Sequence, residues 1–240
     1  MGVFNVPLEI KIQPNDLTCG PTCLHAMYQF WGDKISLDEI IEQIHFLEEG
    51  GTYASILGTH ALKRNYKAKL YTYNLLVFDP TWFSKDEKNG KRKVNLEQKL
   101  IEQLKVKTDP KIHLASKYYL EFLRMGGEIL FEDLTKNLIS NYLERGLPIL
   151  TGLSSTYLYQ CSRELPNTDF DDLNGGPTGH FVVLSGFDNK KNVVNVADPW
   201  EMAHKEFYGG KYYWVNWERL MISILLGVLT FDGNLLILEK

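Results

Sequence analysis

Between Gln13 and Cys23 the chain reads QPNDLTCGPTC, and it continues as LHAMYQFWG to Gly32. Residues 6–12 alternate weakly and end at Pro14, which predicts a short edge strand. Thr18 stands where a helix N-cap should. Behind it, Cys19, Cys23, Ala26, Met27, Phe30 and Trp31 recur at helical spacing. Pro21 falls in the first turn, where its missing N–H costs little, and Gly32 stops the helix. Cys19 is thereby placed in a first turn, where unpaired N–H groups and the macrodipole favour an anion. The anionic form is the one in which a thiol is a nucleophile.

Working outward, Ser36 with Glu39 spells a capping box for a second helix over residues 37–46. Gly50-Gly51-Thr52 opens a third over residues 53–65, and residues 67–73 read as a strand. The run KDEKNGKRK at residues 85–93 has no apolar face and reads as a solvated loop. Helical patterns follow at residues 96–104 and 112–125, a strand at 128–130, a helix at 133–144 and a strand at 147–153. Residues 181–187 and 193–197 flank a turn and predict a hairpin. Further strands are expected at residues 212–215, 227–231 and 235–238. Helices first and antiparallel strands later indicate an α+β fold, with N-terminal helices packed on a C-terminal antiparallel sheet. One domain is expected, with a helical insertion at about residues 74–126.

The 240 residues carry 26 Lys+Arg against 30 Asp+Glu, a formal charge of −4. That balance argues against a polybasic surface gripping nucleic acid through counterion release. Three cysteines leave at least one thiol unpaired within the chain. No basic region followed by an apolar stretch marks the N-terminus as a secretory signal. The apolar run at residues 221–231 is about half of the roughly 20 residues a bilayer span requires. A cytoplasmic protein without membrane insertion is the resulting expectation.

A nucleophilic thiol needs a base, and the base needs a group that fixes its tautomer. His180 opens the apolar strand HFVVLSGF after the flexible GGPTG, and Asp198 ends the next strand of the same hairpin, NVVNVADPW. Closure of the hairpin at residues 189–192 brings both to its open end. One imidazole nitrogen can then face the carboxylate and the other the thiol. Gln13 precedes Cys19 by six positions, and its amide is a candidate donor to an oxyanion beside the thiolate, with the Cys19 N–H.

Taken together, QPNDLTCGPTC, GHFVVLSGFD and VADPW resemble the papain-like cysteine peptidases. Within them they resemble the family that removes bacteriocin leaders after a double glycine, and its stand-alone relatives. The resemblance covers about residues 10–65 and 128–240. It implies the papain-like fold, with Cys19 as nucleophile, His180 as base, Asp198 as its orienter and Gln13 as oxyanion donor. It further implies hydrolysis of a peptide or other amide through an acyl-enzyme, with no cofactor and no metal. Leader-processing members are usually joined to an ABC transporter segment that this sequence does not contain. The segment YTYNLLVFDPTWF also lies outside the matching pattern, so the resemblance bears on the chemistry more than on the substrate.

Two other functions use the same residues: acyl or peptidyl transfer to an amine or thiol, and peptide binding without catalysis. HExxH, GxxxxGK[ST] and GxGxxG are absent from the sequence. Cys23, one turn further along the same face, reads as core, and Cys161 as structural. His25, His45, His60, His113 and His204 stand in no partnered pattern. Tyr71, Tyr73, Phe78, Trp82 and Phe83 either line a cleft or pack into the core. Residues 166–179 carry Asp169, Asp171 and Asp172 just after Glu164, and read as a mobile loop leading into His180. As a lid, that loop would favour basic or amine-bearing substrates.

Overall fold

The computed structural model describes residues 2–48, 50–86, 90 and 92–240, apart from the His204 side chain. Four residues of the polar run, 87–89 and 91, therefore lie outside the described residues, as does the His204 side chain. Strand β1 (Val3–Asn5) precedes three helices, α1 (Cys19–Phe30), α2 (Leu37–Gln43) and α3 (Ala54–Lys63). Next come β2 (Lys67–Thr72), α4 (Leu96–Leu104), α5 (Pro110–Arg124), β3 (Glu128–Leu130) and α6 (Lys136–Glu144). Strand β4 (Ile149–Ser154) leads into the short α7 (Ser155–Tyr159). A meander of β5 (Gly179–Asp188), β6 (Val193–Ala197) and β7 (Tyr212–Asn216) is followed by α8 (Trp217–Leu226) and β8 (Asn234–Glu239).

The strands form one sheet in the order β3-β2-β8-β4-β5-β6-β7, antiparallel except for the β2–β3 pair. Strand β5 is a continuous apolar run because both of its faces are covered. Phe181 and Val183 pack with Leu24, Met27 and Leu57 of the N-terminal helices. Val182 and Leu184, pointing the other way, pack with Ile139, Leu143, Trp217 and Leu220 of α6 and α8. The fold is α+β, as the order of helical and strand patterns predicts.

The hairpin forms as expected, and the capping box at Ser36 and Glu39 is complete. Residues 6–12 are not a strand. The edge pairing belongs to β1, which lies along Gly186–Asp188 where β4 has ended. Val6 still donates to the Ser185 carbonyl at 2.6 Å, but Pro7 has no N–H with which to continue the ladder. The close approach requires Gly186, where a Cβ would stand 2.5 Å from the Phe4 carbonyl oxygen.

The strand expected at residues 227–231 is likewise absent. Trp217, Leu220 and Ile224 are buried at helical spacing as α8, and Gly227–Thr230 forms a 3-10 turn. The helical period of the buried positions outweighs the strand propensity of the apolar run. Tyr71, Tyr73 and Phe78 are buried, and Trp82 and Phe83 pack against the core, so the core reading of these aromatics holds. Among the described residues, no helix is long and apolar enough to cross a membrane.

Candidate active site

The segment before α1 is folded by its own polar side chains. Leu17 N–H donates to Asn15 Oδ1 at 3.0 Å, and the Thr18 hydroxyl donates to the Asn15 carbonyl at 2.9 Å. Thr18 thus sits at the N-cap position without capping through its side chain, because its hydroxyl is turned back into the loop. The helical ladder begins with Thr22 N–H on the Thr18 carbonyl at 3.0 Å, so the N–H groups of Cys19 and Gly20 lie ahead of it. Gly20 lets this end of the helix press onto β5. A Cβ there would stand 2.7 Å from Thr52 Cγ2 and 3.3 Å from Phe181 Cδ2.

His180, the second residue of β5, is buried. Its Nε2 lies 2.9 Å from Asp198 Oδ1, and the Cys19 thiol is near enough to raise its proton affinity. With Nε2 committed to the carboxylate, Nδ1 is the nitrogen left for the thiol. Burial pulls the His180 pKa down, but the Asp198 charge and hydrogen bond, with Cys19, outweigh it and push it up to about 10.

Asp198 follows β6 directly and is wholly enclosed. Its Oδ1 also accepts from the Trp200 N–H at 2.9 Å, and Oδ2 accepts from the hydroxyls of Tyr159 at 2.7 Å and Tyr213 at 2.5 Å. Burial works against the carboxylate, yet His180, Tyr213 and the Trp200 N–H hold its pKa below the ordinary value. Burial and the neighbouring carboxylate raise both tyrosines well above the usual phenol range, so they remain protonated donors.

Gln13 is joined to this end of the sheet through its backbone, whose N–H donates to the Pro199 carbonyl at 2.9 Å. Its side chain is 9% exposed, and its Oε1 is buried without a hydrogen-bond partner among the described residues. Cys23 is fully enclosed, its thiol donating to the Phe181 carbonyl at 3.2 Å, and burial foremost raises its pKa well above the ordinary value. Cys161 is half-buried.

Residues 3–221 match the model of the Peptidase_C39 like family. The chain belongs to the Peptidase_C39 like family. No curated protein matches it. Among solved structures, it is similar to a double glycine motif protease from an AMS/PCAT transporter in complex with the leader peptide. That match has 13% identity and a TM-score of 0.46, over 100% of this chain and 99% of that one. A C39-like peptidase from Bacillus anthracis matches at 17% identity and a TM-score of 0.48, over 100% of this chain and 98% of that one. Xylellain, a cysteine protease from Xylella fastidiosa, matches at 14% identity and a TM-score of 0.46, over 100% and 86%.

In this C39-like chain the two tyrosines on Asp198 are the residues that sequence reasoning missed. Tyr213 had a signal: in the strand YYWVN alternate residues are buried, and Tyr213 is one of them. Tyr159 had none, because a one-turn helix carries too little periodicity to show which way a side chain faces.

Proposed function

We propose that this C39-like protein is a cysteine peptidase hydrolysing a peptide or related amide through an acyl-enzyme on Cys19. The observation that carries the proposal is the buried His180, whose Nε2 lies 2.9 Å from Asp198 Oδ1 and whose proton affinity Cys19 also raises. An imidazolium maintained by a buried carboxylate, beside a sulfur at a helix N-terminus, is the arrangement in which a thiolate persists at neutral pH.

Cys19 Sγ attacks the carbonyl carbon, and the electron pair of the C=O bond moves to oxygen. That oxyanion takes hydrogen bonds from the Cys19 N–H and the Gln13 amide. His180 then gives its Nδ1 proton to the leaving nitrogen as the C–N bond breaks, which leaves a thioester. Water attacks the thioester while His180 takes its proton, and Cys19 leaves as thiolate. Asp198 accepts from Nε2 throughout and fixes the ring.

The test is alkylation of each cysteine by iodoacetamide from pH 4 to 9, with sites read by mass spectrometry. Cys19 is expected to label rapidly at about pH 5–6, well below the range of an ordinary thiol near 8.5, and to lose that reactivity in His180→Ala. Cys23 is expected to resist. Labelling of Cys19 no faster than that of Cys161 would overturn the assignment.

A further inference from the structure

A second carboxyl group stands beside Gly179, the residue before His180, and the mechanism above makes no use of it. Asp232 follows Phe231, which adopts a left-handed conformation (φ 62°), and stands just before β8. It is 9% exposed. Its Oδ2 accepts from the Thr230 hydroxyl at 2.8 Å, while no hydrogen bond to Oδ1 is formed among the described residues. The titratable groups close enough to act on its charge are His180 from β5 and Tyr119 from α5. Burial raises its pKa to about 7, against smaller opposing effects of Thr230 and His180.

Two glycines define where this carboxyl lies. A Cβ on Gly179, the residue before His180, would stand 1.8 Å from Asp232 Oδ2, and one on Gly152 would stand 3.0 Å from Asp232 Cβ. Gly179 and Phe181 share a face of β5, and Gly20 rests on that face through Phe181. Asp232 is therefore on the same side of the sheet as the Cys19 end of α1. Glu164, half-buried before the loop that leads into His180, adds negative charge there, its pKa raised by burial and by Asp16. A largely desolvated carboxyl with one neutral donor is costly unless a cation completes it.

We propose that Asp232 is a receptor for a cationic group of the substrate, an ammonium or guanidinium borne by a residue close to the scissile bond. The inference assigns a substrate class to the site and so rests on the peptidase reading, although the receptor can be examined without catalysis. Glu164 and Asp16 contribute the surrounding negative potential, which concentrates cations at the cleft. Asp232 supplies the contact.

Calorimetric titration of the Cys19→Ala variant tests the receptor in the absence of chemistry. The probes are N-acetylated hexapeptide amides carrying a single lysine or norleucine at each position in turn, with free-amine norleucine peptides to separate a side-chain ammonium from an N-terminal one. At pH 8 a cationic peptide is expected to bind roughly tenfold more tightly than its neutral counterpart, a difference within reach of one charge-assisted contact. The preference should vanish with Asp232→Asn added. With Asp232 in place it should fade between pH 8 and pH 5.5, a readout that survives even if the asparagine variant fails to fold. Equal affinity for cationic and neutral peptides, no binding of any, or a preference untouched by both changes would overturn the receptor. Iodoacetamide labelling of Cys19 in the unsubstituted protein judges the peptidase reading separately, so the two failures are distinguishable.

Discussion

His60 and His180 are each 7% exposed and each is hydrogen-bonded through Nε2, yet their proton affinities move in opposite directions. His60, on α3, meets the Tyr28 hydroxyl at 2.7 Å through Nδ1 and Gln43 Oε1 at 3.0 Å through Nε2. Both partners are neutral. Burial, then Arg64 and Lys63, take its pKa down to about 4. His180 is buried as well, but the Asp198 charge reverses the outcome. Enclosure therefore does not make a histidine useful in catalysis. A carboxylate does, provided that it is kept ionised, and here Tyr159, Tyr213 and the Trp200 N–H keep it so.

The comparison breaks most completely if that charge is removed. Asp198→Asn leaves a hydrogen-bonding group against Nε2 but no anion, so His180 should fall toward the behaviour of His60. Peptidase turnover is expected to drop on the order of 10²–10⁴-fold, the usual range for loss of positioned acid–base catalysis. Low-pH alkylation of Cys19 should disappear with it. Retention of that alkylation would show that the helix N-terminus, rather than the imidazolium, sustains the thiolate.

A milder change sharpens the same point. Tyr213→Phe removes the 2.5 Å hydrogen bond to Asp198 while leaving the ring stacked on Tyr208. A hydrogen bond to a charged group contributes roughly 1.5–3 kcal/mol, which corresponds to a fall in Tm of roughly 3–10 °C for a chain of this size. If Tyr213 also sustains the Asp198 charge, the acid limit of Cys19 alkylation should move to higher pH, which a merely structural loss would not cause. An unchanged pH profile beside a lowered Tm would confine Tyr213 to packing.

Much of this site was legible because short-range geometry fixes it. Cys19 is placed by a turn and a helix start that are local to residues 13–23. His180 and Asp198 belong to one hairpin: with Val183 opposite Ala197, Asp198 follows beside the strand end that carries His180. The rest depends on contacts between segments far apart in the chain. Tyr159 reaches Asp198 across 39 residues, and Asp232 meets Gly179 only because β8 is inserted between β2 and β4. Helix α8 was hidden for a different reason, since its apolar run has the composition of a strand and only its buried face has a helical period.

The smallest expected effect separates the two histidines by pH alone. His60 has a folded pKa below the ordinary 6.5, so the unfolded chain takes up its proton first as pH falls. The stability it contributes is complete above about pH 6.5 and is lost toward pH 4. His180 has the opposite sign: with its pKa raised to about 10, its contribution is complete below pH 6.5 and is lost as pH rises through 10. Thermal melts across pH 4–10 should therefore show two limbs with separate origins. His60→Phe leaves the Tyr28 hydroxyl without its acceptor and should cost roughly 1–3 kcal/mol at pH 7, while flattening the acid limb. His180→Ala should flatten the alkaline limb and leave His60's share of the acid limb in place. An acid limb unchanged by His60→Phe would assign it to carboxylates such as Asp198, whose lowered pKa also predicts stability lost as pH falls.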